Sequence, residues 1–246
     1  MPTPRPAAMR LAFVLLAAVL AGAACTARTV QDTPIETQSE FGIVLWQACG
    51  IEQARALEAA AADGESALRA SACFASLLRR EAEGPKKDFA RRGLAQAEAA
   101  VAALPKSALA HYLAAYLHGM EAEQHPLRGL DLVPRIEQEA LLAAGLDPGL
   151  DFGGPDRILG ELYLRAPAFP VSVGDSAKAV EHYSRAATLA PDFAENRLGL
   201  AEALLADGDA PRACRELDGL ARDAGPQRAR AAELFARHCA GQGGKY

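Results

Sequence analysis

The stretch AKAVEHYSRAATLAPD, Ala177 to Asp192, decides the fold. Ala179 and Ala186 stand seven residues apart, two helical turns on one face. A small side chain at each lets a neighbouring helix approach closely, and Tyr183 fills the gap between them. Pro191 stops the helix because it has no N–H to donate. Such a face demands an antiparallel partner helix at short range.

The same frame recurs along the chain. RRGLAQAEAAVAALP carries Gly93, Ala97, Ala100 and Pro105 at the spacing of Ala179, Tyr183, Ala186 and Pro191. PRACRELDGLARDAGP carries Ala213, Leu217, Leu220 and Gly225-Pro226 in nearly the same frame. IEQEALLAAGLDP, ending at Pro148, is a weaker copy. The small, aromatic, small, proline order resembles the second helix of a tetratricopeptide (TPR) hairpin, and LGELY, Leu159 to Tyr163, resembles the first-helix signature. Gly160 in that segment permits close approach.

Between these marks the chain reads as helices broken by Gly and Pro. Phe41 to Ala62 is one helix, long or interrupted at Gly50. Ser66 to about Arg80 is a second, with Leu68, Ala72, Ala75 and Leu78 on one face. Lys87 to about Leu104 is a third, and Ser107 is an N-cap opening the next. Two Pro-rich apolar stretches, HPLRGLDLVP (His125 to Pro134) and RAPAFPVSVG (Arg165 to Gly174), read as inserted loops that fold over the helices, meet a partner, or plug the ends of short helices. The expectation is an all-α, TPR-like antiparallel helical-hairpin solenoid of roughly 9–11 helices with irregular inserted loops. A composition half apolar, rich in alanine and only 6% aromatic suits such packing and excludes a β-sandwich.

The N-terminus reads as a secretory signal over residues 1–24, with Arg5 and Arg10 before the apolar run Leu11 to Ala24. Cys25, after Gly22-Ala23-Ala24, resembles the lipid-carrying residue of a bacterial lipobox, with Gly22 where Leu is usual. The alternative is ordinary cleavage after Ala23 or Ala24, leaving a plain thiol. Residues 25–39 read as a polar tether and 40–241 as a single helical domain. Removing Arg5 and Arg10 from the 26 basic residues leaves 24 against 31 acidic, a net charge of −7. That balance carries no basic patch and argues against nucleic acid as a partner. Cys49, Cys73, Cys214 and Cys239 are even in number, which in an exported chain points to disulfides. Local pairing would staple both ends of the array. Three connectivities are open, as are four buried thiols.

Catalytic and cofactor signatures are missing from the sequence: no HEXXH, GxSxG, Walker loop or dinucleotide glycine pattern, and no Cys/His cluster for a metal. Phe152-Gly153-Gly154-Pro155 reads as a turn opening a helix. The expectation is a non-enzymatic protein without a cofactor. Polar residues do interrupt the alanine-rich inner faces: His111, Tyr112, Tyr116, Arg157, Tyr163, Asn196 and Arg197. Singly each fits a structural network; together they could line a mostly apolar ligand pocket with a few polar groups.

Three segments carry a wider resemblance. LDPGLDFGGPDRILGELYLRAP, then VSVGDSAKAVEHYSRAATLAPDFAENRLGLAEALL, and upstream ALPKSALAHYLAAYLHG resemble the TRAP-transporter T-component (TatT-like) lipoproteins over roughly residues 70–220. The resemblance implies an all-helical, periplasm-facing lipoprotein of the bacterial cell envelope, anchored to a membrane by lipid. It implies a TRAP-type periplasmic substrate-binding protein as partner and an apolar cleft for a hydrophobic small molecule, carboxylate-bearing in one version. A homo-oligomer is compatible with it. The competing expectation is a general TPR protein-protein interaction adaptor with no small ligand.

Overall fold

The computed structural model describes residues 49–80 and 85–239, excepting the side chains of 126–128. The signal segment, Cys25, the tether and residues 40–48 lie outside the described residues. Ten helices follow one another: α1 (Ile51–Ala59), α2 (Gly64–Arg79), α3 (Lys86–Ala103), α4 (Ala108–Gln124), α5 (Pro126–Leu146), α6 (Leu150–Arg165), α7 (Ser176–Leu189), α8 (Ala194–Ala206), α9 (Ala210–Arg222) and α10 (Arg228–His238). Among the described residues there is no strand, only an isolated bridge between Ala168 and Gly174.

Each helix packs on the next in sequence, and α2, α4, α6 and α8 also pack on one another in that order. This is the solenoid plan. The even helices form one layer, and α3, α5, α7 and α9 back it as hairpin partners. The repeated frame explains the packing. Gly93, Ala97 and Ala100 on α3, Ala179, Tyr183 and Ala186 on α7, and Ala213, Leu217 and Leu220 on α9 are all buried. The weaker copy on α5 behaves alike, with Ile136, Ala140 and Ala143 buried.

Helix ends follow local chemistry. Ser107 accepts from the Ala110 N–H at 3.2 Å to start α4, and Asp175 accepts from Lys178 N–H at 3.0 Å to start α7. Asp63 and Ser66 form a reciprocal capping box at α2. Gly50 stands just before α1 as its N-cap.

Glycine sets the closest approach. A Cβ at Gly160 would lie 2.6 Å from Cδ2 of Tyr183, and one at Gly199 only 2.1 Å from Cε1 of the same ring. The Tyr183 ring is therefore wedged between α6 and α8, and no larger residue fits on either side.

One expected loop is not a loop. HPLRGLDLVP is helical as the first half of α5. Pro126 occupies the first turn, where its missing N–H costs nothing. Pro134 lies inside the helix but is exposed, so the hydrogen bond it forgoes is on the solvent side. RAPAFPVSVG does form a loop, tied by Gly174 N–H to the Pro167 carbonyl at 2.9 Å and by Asp175 N–H to the Tyr163 carbonyl at 2.9 Å. Its tip does not fold over the helices: Phe169 is 88% and Val171 65% exposed.

Two disulfides close the terminal hairpins. Cys49 is bonded to Cys73, and Cys214 to Cys239. Of the three connectivities open to the sequence, the structure adopts the local one.

Candidate ligand groove

The inner layer and the first half of α5 enclose a cavity of about 860 Å³, within the ~300–1,000 Å³ range of small-molecule sites. Its wall is mainly apolar, with Ala115, Met120, Val133, Ile136, Ile158 and Leu162 among its residues. The α5 segment taken from sequence as a loop supplies Gly129, Leu130 and Val133, so it does border the cleft, as a helix. Ala166 and Pro167, at the base of the true loop, line it as well.

Of the residues expected to bind a ligand, Tyr112, Tyr116 and Arg157 line this cavity. The other four do not. His111 bridges α5 and the α3–α4 connection, its Nδ1 2.5 Å from Glu139 Oε2 and its Nε2 3.0 Å from the Pro105 carbonyl oxygen. Tyr163 donates to Glu137 Oε1 at 2.6 Å, stacks on His182 and lies beneath the Lys178 ammonium. Arg197 is held by Glu216 at 3.0 Å. Asn196 is wholly buried and donates to the carbonyls of Phe152 at 2.8 Å and Ala186 at 2.9 Å.

Arg157 lines the cavity without being free. It pairs with Asp151 Oδ2 at 2.6 Å and donates to the Asp151 carbonyl and to Asn196 Oδ1, each at 3.1 Å. Its guanidinium lies 4.8 Å from the centre of the Phe193 ring, and Phe193 stacks on Phe152. The reason is the turn that opens α6. Asp151, Phe152 and Gly153 have φ of 48°, 58° and 78°, three left-handed residues in succession. For Asp151 and Phe152 that conformation costs roughly 1–2 kcal/mol each. Arg157 and Asn196 gather the carbonyls that the turn leaves outside any helix ladder. Burial drives the Asp151 carboxyl above its usual range, with Arg157 pulling the other way. Tyr112, whose hydroxyl donates to Asp151 Oδ2, is pushed far up by burial and by that carboxylate.

Most of the remaining charged groups on the wall are also paired. Arg79 bridges to Glu195. Arg165 meets Glu161 at 3.0 Å and Glu202 at 2.9 Å. Tyr183 donates to Glu161 Oε2 at 2.7 Å. Glu123 has no ion-pair partner among the described residues, and partial desolvation and the neighbouring Glu161 raise its carboxyl above the usual range. The Tyr116 hydroxyl has no hydrogen-bond partner among the described residues, and desolvation raises it too.

Sequence reasoning missed Arg79, Glu123, Glu161 and Glu195. The Arg79–Glu195 pair spans 116 residues, and no local spacing announces such a contact. Asp151 did have a signal, because the glycine pair at Gly153-Gly154 marks a backbone of unusual handedness. Among the described residues no group of three or more His, Cys, Asp or Glu side chains is placed to hold a metal ion, and no helix is long and apolar enough to cross a membrane.

Comparison with curated proteins returns no match. Comparison with family models returns one over residues 171–237, the segment running from the end of the loop through α7, α8 and α9 and into α10. The helix first read from Ala179, Tyr183, Ala186 and Pro191 lies within this tetratricopeptide-repeat match, and LGELY on α6, read as its first-helix partner, lies before it.

Proposed function

We propose that this chain is a non-enzymatic binding protein of the bacterial cell envelope that takes an elongated apolar ligand in the groove beside α4, α5, α6 and α8. The observation that carries the reading is the cavity itself: about 860 Å³, with a surface mostly apolar in area and crossed by arginine, glutamate and tyrosine side chains. The two disulfides support an exported setting. Anchoring through Cys25 and partnership with the substrate-binding protein of a TRAP-type transporter rest on the sequence resemblance alone. Membrane fractionation of the Cys25→Ser variant tests the anchor.

The second reading is a TPR adaptor that holds a protein partner and no small ligand, and the repeat matched at residues 171–237 favours it. Native mass spectrometry of protein purified without detergent separates the two. A retained mass of a few hundred daltons, or uptake of an apolar fluorescent probe by the stripped protein, supports the ligand reading. A bare chain that takes up no apolar probe replaces it with the adaptor.

A further inference from the structure

Arg79 and Glu195 form an ion pair between helices that the stack does not set side by side. Arg79 ends α2, and Glu195 lies in the first turn of α8. In the inner layer α4 and α6 stand between those two helices. A stack whose units touch their neighbours does not require such a contact. Gln227, the residue before α10, reaches the same carboxylate and donates to Glu195 Oε1 at 3.4 Å. Glu195 is thus where α2, α8 and the connection between α9 and α10 come together.

The neighbours of this junction place it on the groove. α4, α6 and α8 begin together, because Arg157 donates to the Tyr112 hydroxyl at 3.4 Å and to Asn196 Oδ1 at 3.1 Å. α6 and α8 also end together, where Arg165 meets Glu202 at 2.9 Å. The groove runs along these helices, from Tyr112, Arg157 and Glu195 at their starts to Glu123, Arg165 and Glu202 further on. Arg79 and Gln227 line it too, beside Glu195. The Arg79 and Glu195 side chains are 20% and 23% exposed, so the pair stands at the boundary between groove and solvent. A partly exposed pair is held lightly, and salt weakens it. It can part and re-form while the hairpins on either side stay stacked.

We infer that the Arg79–Glu195 pair, seconded by Gln227, is a strap across one mouth of the groove, and that its opening sets how fast an apolar ligand enters and leaves. This rests on the groove being the ligand site. A strap is a barrier in both directions, so loosening it quickens uptake and release in step and changes affinity little.

Stopped-flow fluorescence of the apolar dye N-phenylnaphthylamine tests this on the full chain stripped of endogenous lipid. Uptake is followed on mixing, and release on chasing the bound dye with decanol. Arg79→Gln and Glu195→Gln should each quicken both rates about two- to fivefold at low salt. The double variant should be no faster than either single one, since both remove the same pair. Arg79→Lys, which keeps the charge, should stay nearer the parent. In the parent, both rates should rise as salt increases from about 0.01 M to about 1 M, where the screening length falls from about 30 Å to about 3 Å; in the Gln variants they should respond less. The salt series needs no substitution and so stands even where a variant fails to fold. Dye bound with parental rates in both Gln variants, or with parental rates indifferent to salt, overturns the strap and leaves the groove reading intact. Release quickened with uptake unmoved makes the pair a ligand contact and overturns the strap. Effects that add in the double variant overturn the pairing. No dye bound at all overturns the groove reading together with the inference.

Discussion

Replacing Arg157 with alanine should cost the fold far more than it costs a ligand. Arg157 is only 12% exposed, and Asp151, its partner, is 1% exposed. Removing the guanidinium leaves the Asp151 carboxylate with the Tyr112 hydroxyl alone, since its Oδ1 has no partner among the described residues. It also strips donors from the carbonyls of Asp151 and Phe152, in the turn whose left-handed residues need them most. Breaking a buried ion pair from one side costs about 3–5 kcal/mol, a large share of a domain stability of about 5–15 kcal/mol. Urea unfolding followed by far-ultraviolet circular dichroism measures the loss. The loss should depend on pH with a definite sign. Burial already raises the Asp151 carboxyl above 3.8, and Arg157 holds it down. Without Arg157 it rises further, so the fold favours the protonated form. The penalty should be smallest below the unfolded carboxyl range and grow as pH rises through the raised folded value. Asp151→Asn added to Arg157→Ala should recover part of the loss, since the orphaned charge is gone. A loss below about 1 kcal/mol, the size typical of an exposed pair, or a loss independent of pH, would refute the reasoning.

Gly160→Leu should lower the melting temperature by an amount corresponding to about 1–3 kcal/mol of overpacking, because a Cβ alone would stand 2.6 Å from the Tyr183 ring; an unchanged melting temperature removes Gly160 from that contact. Cys214→Ser with Cys239→Ser opens a link spanning 25 residues and should cost about 3 kcal/mol. A melting temperature equal to that of the oxidised parent would show that the bond adds nothing.

The hairpin frame was legible because it depends on spacing within one helix. Ala179, Tyr183 and Ala186 declare a buried face whatever surrounds them, and so do Ala213, Leu217 and Leu220. Helix α5 was misread because proline carries two meanings. Pro126 and Pro134 look like breakers, yet one sits where no N–H is needed and the other on an exposed flank. The groove was half legible. Tyr112, Tyr116 and Arg157 stood out as polar intrusions on an alanine-rich face, and they do line it. Their chemistry was not legible, because Asp151, Glu195 and Glu161, which set the charge balance, meet the arginines only after the hairpins stack. Arg197, equally polar and equally placed in the sequence pattern, turns instead to Glu216 on α9. Gly199 matters as much as Gly160, and a single glycine in NRLGLAEALL does not say which ring it must clear.

The two cross-links have a consequence for how the array opens. A stack in which each unit touches only its neighbours unravels from its free ends, where a unit has one neighbour instead of two. Here the Cys49–Cys73 bond fastens the segment before α1 to α2, and the Cys214–Cys239 bond fastens α9 to the end of α10. Both ends are thus tied like the aglets of a lace. The helices between them, α3 to α8, have no such fastening among the described residues, and they include α4, α5, α6 and α8, which wall the groove. The stack is therefore cross-linked in its two outer hairpins and held in its middle by noncovalent contacts alone among the described residues.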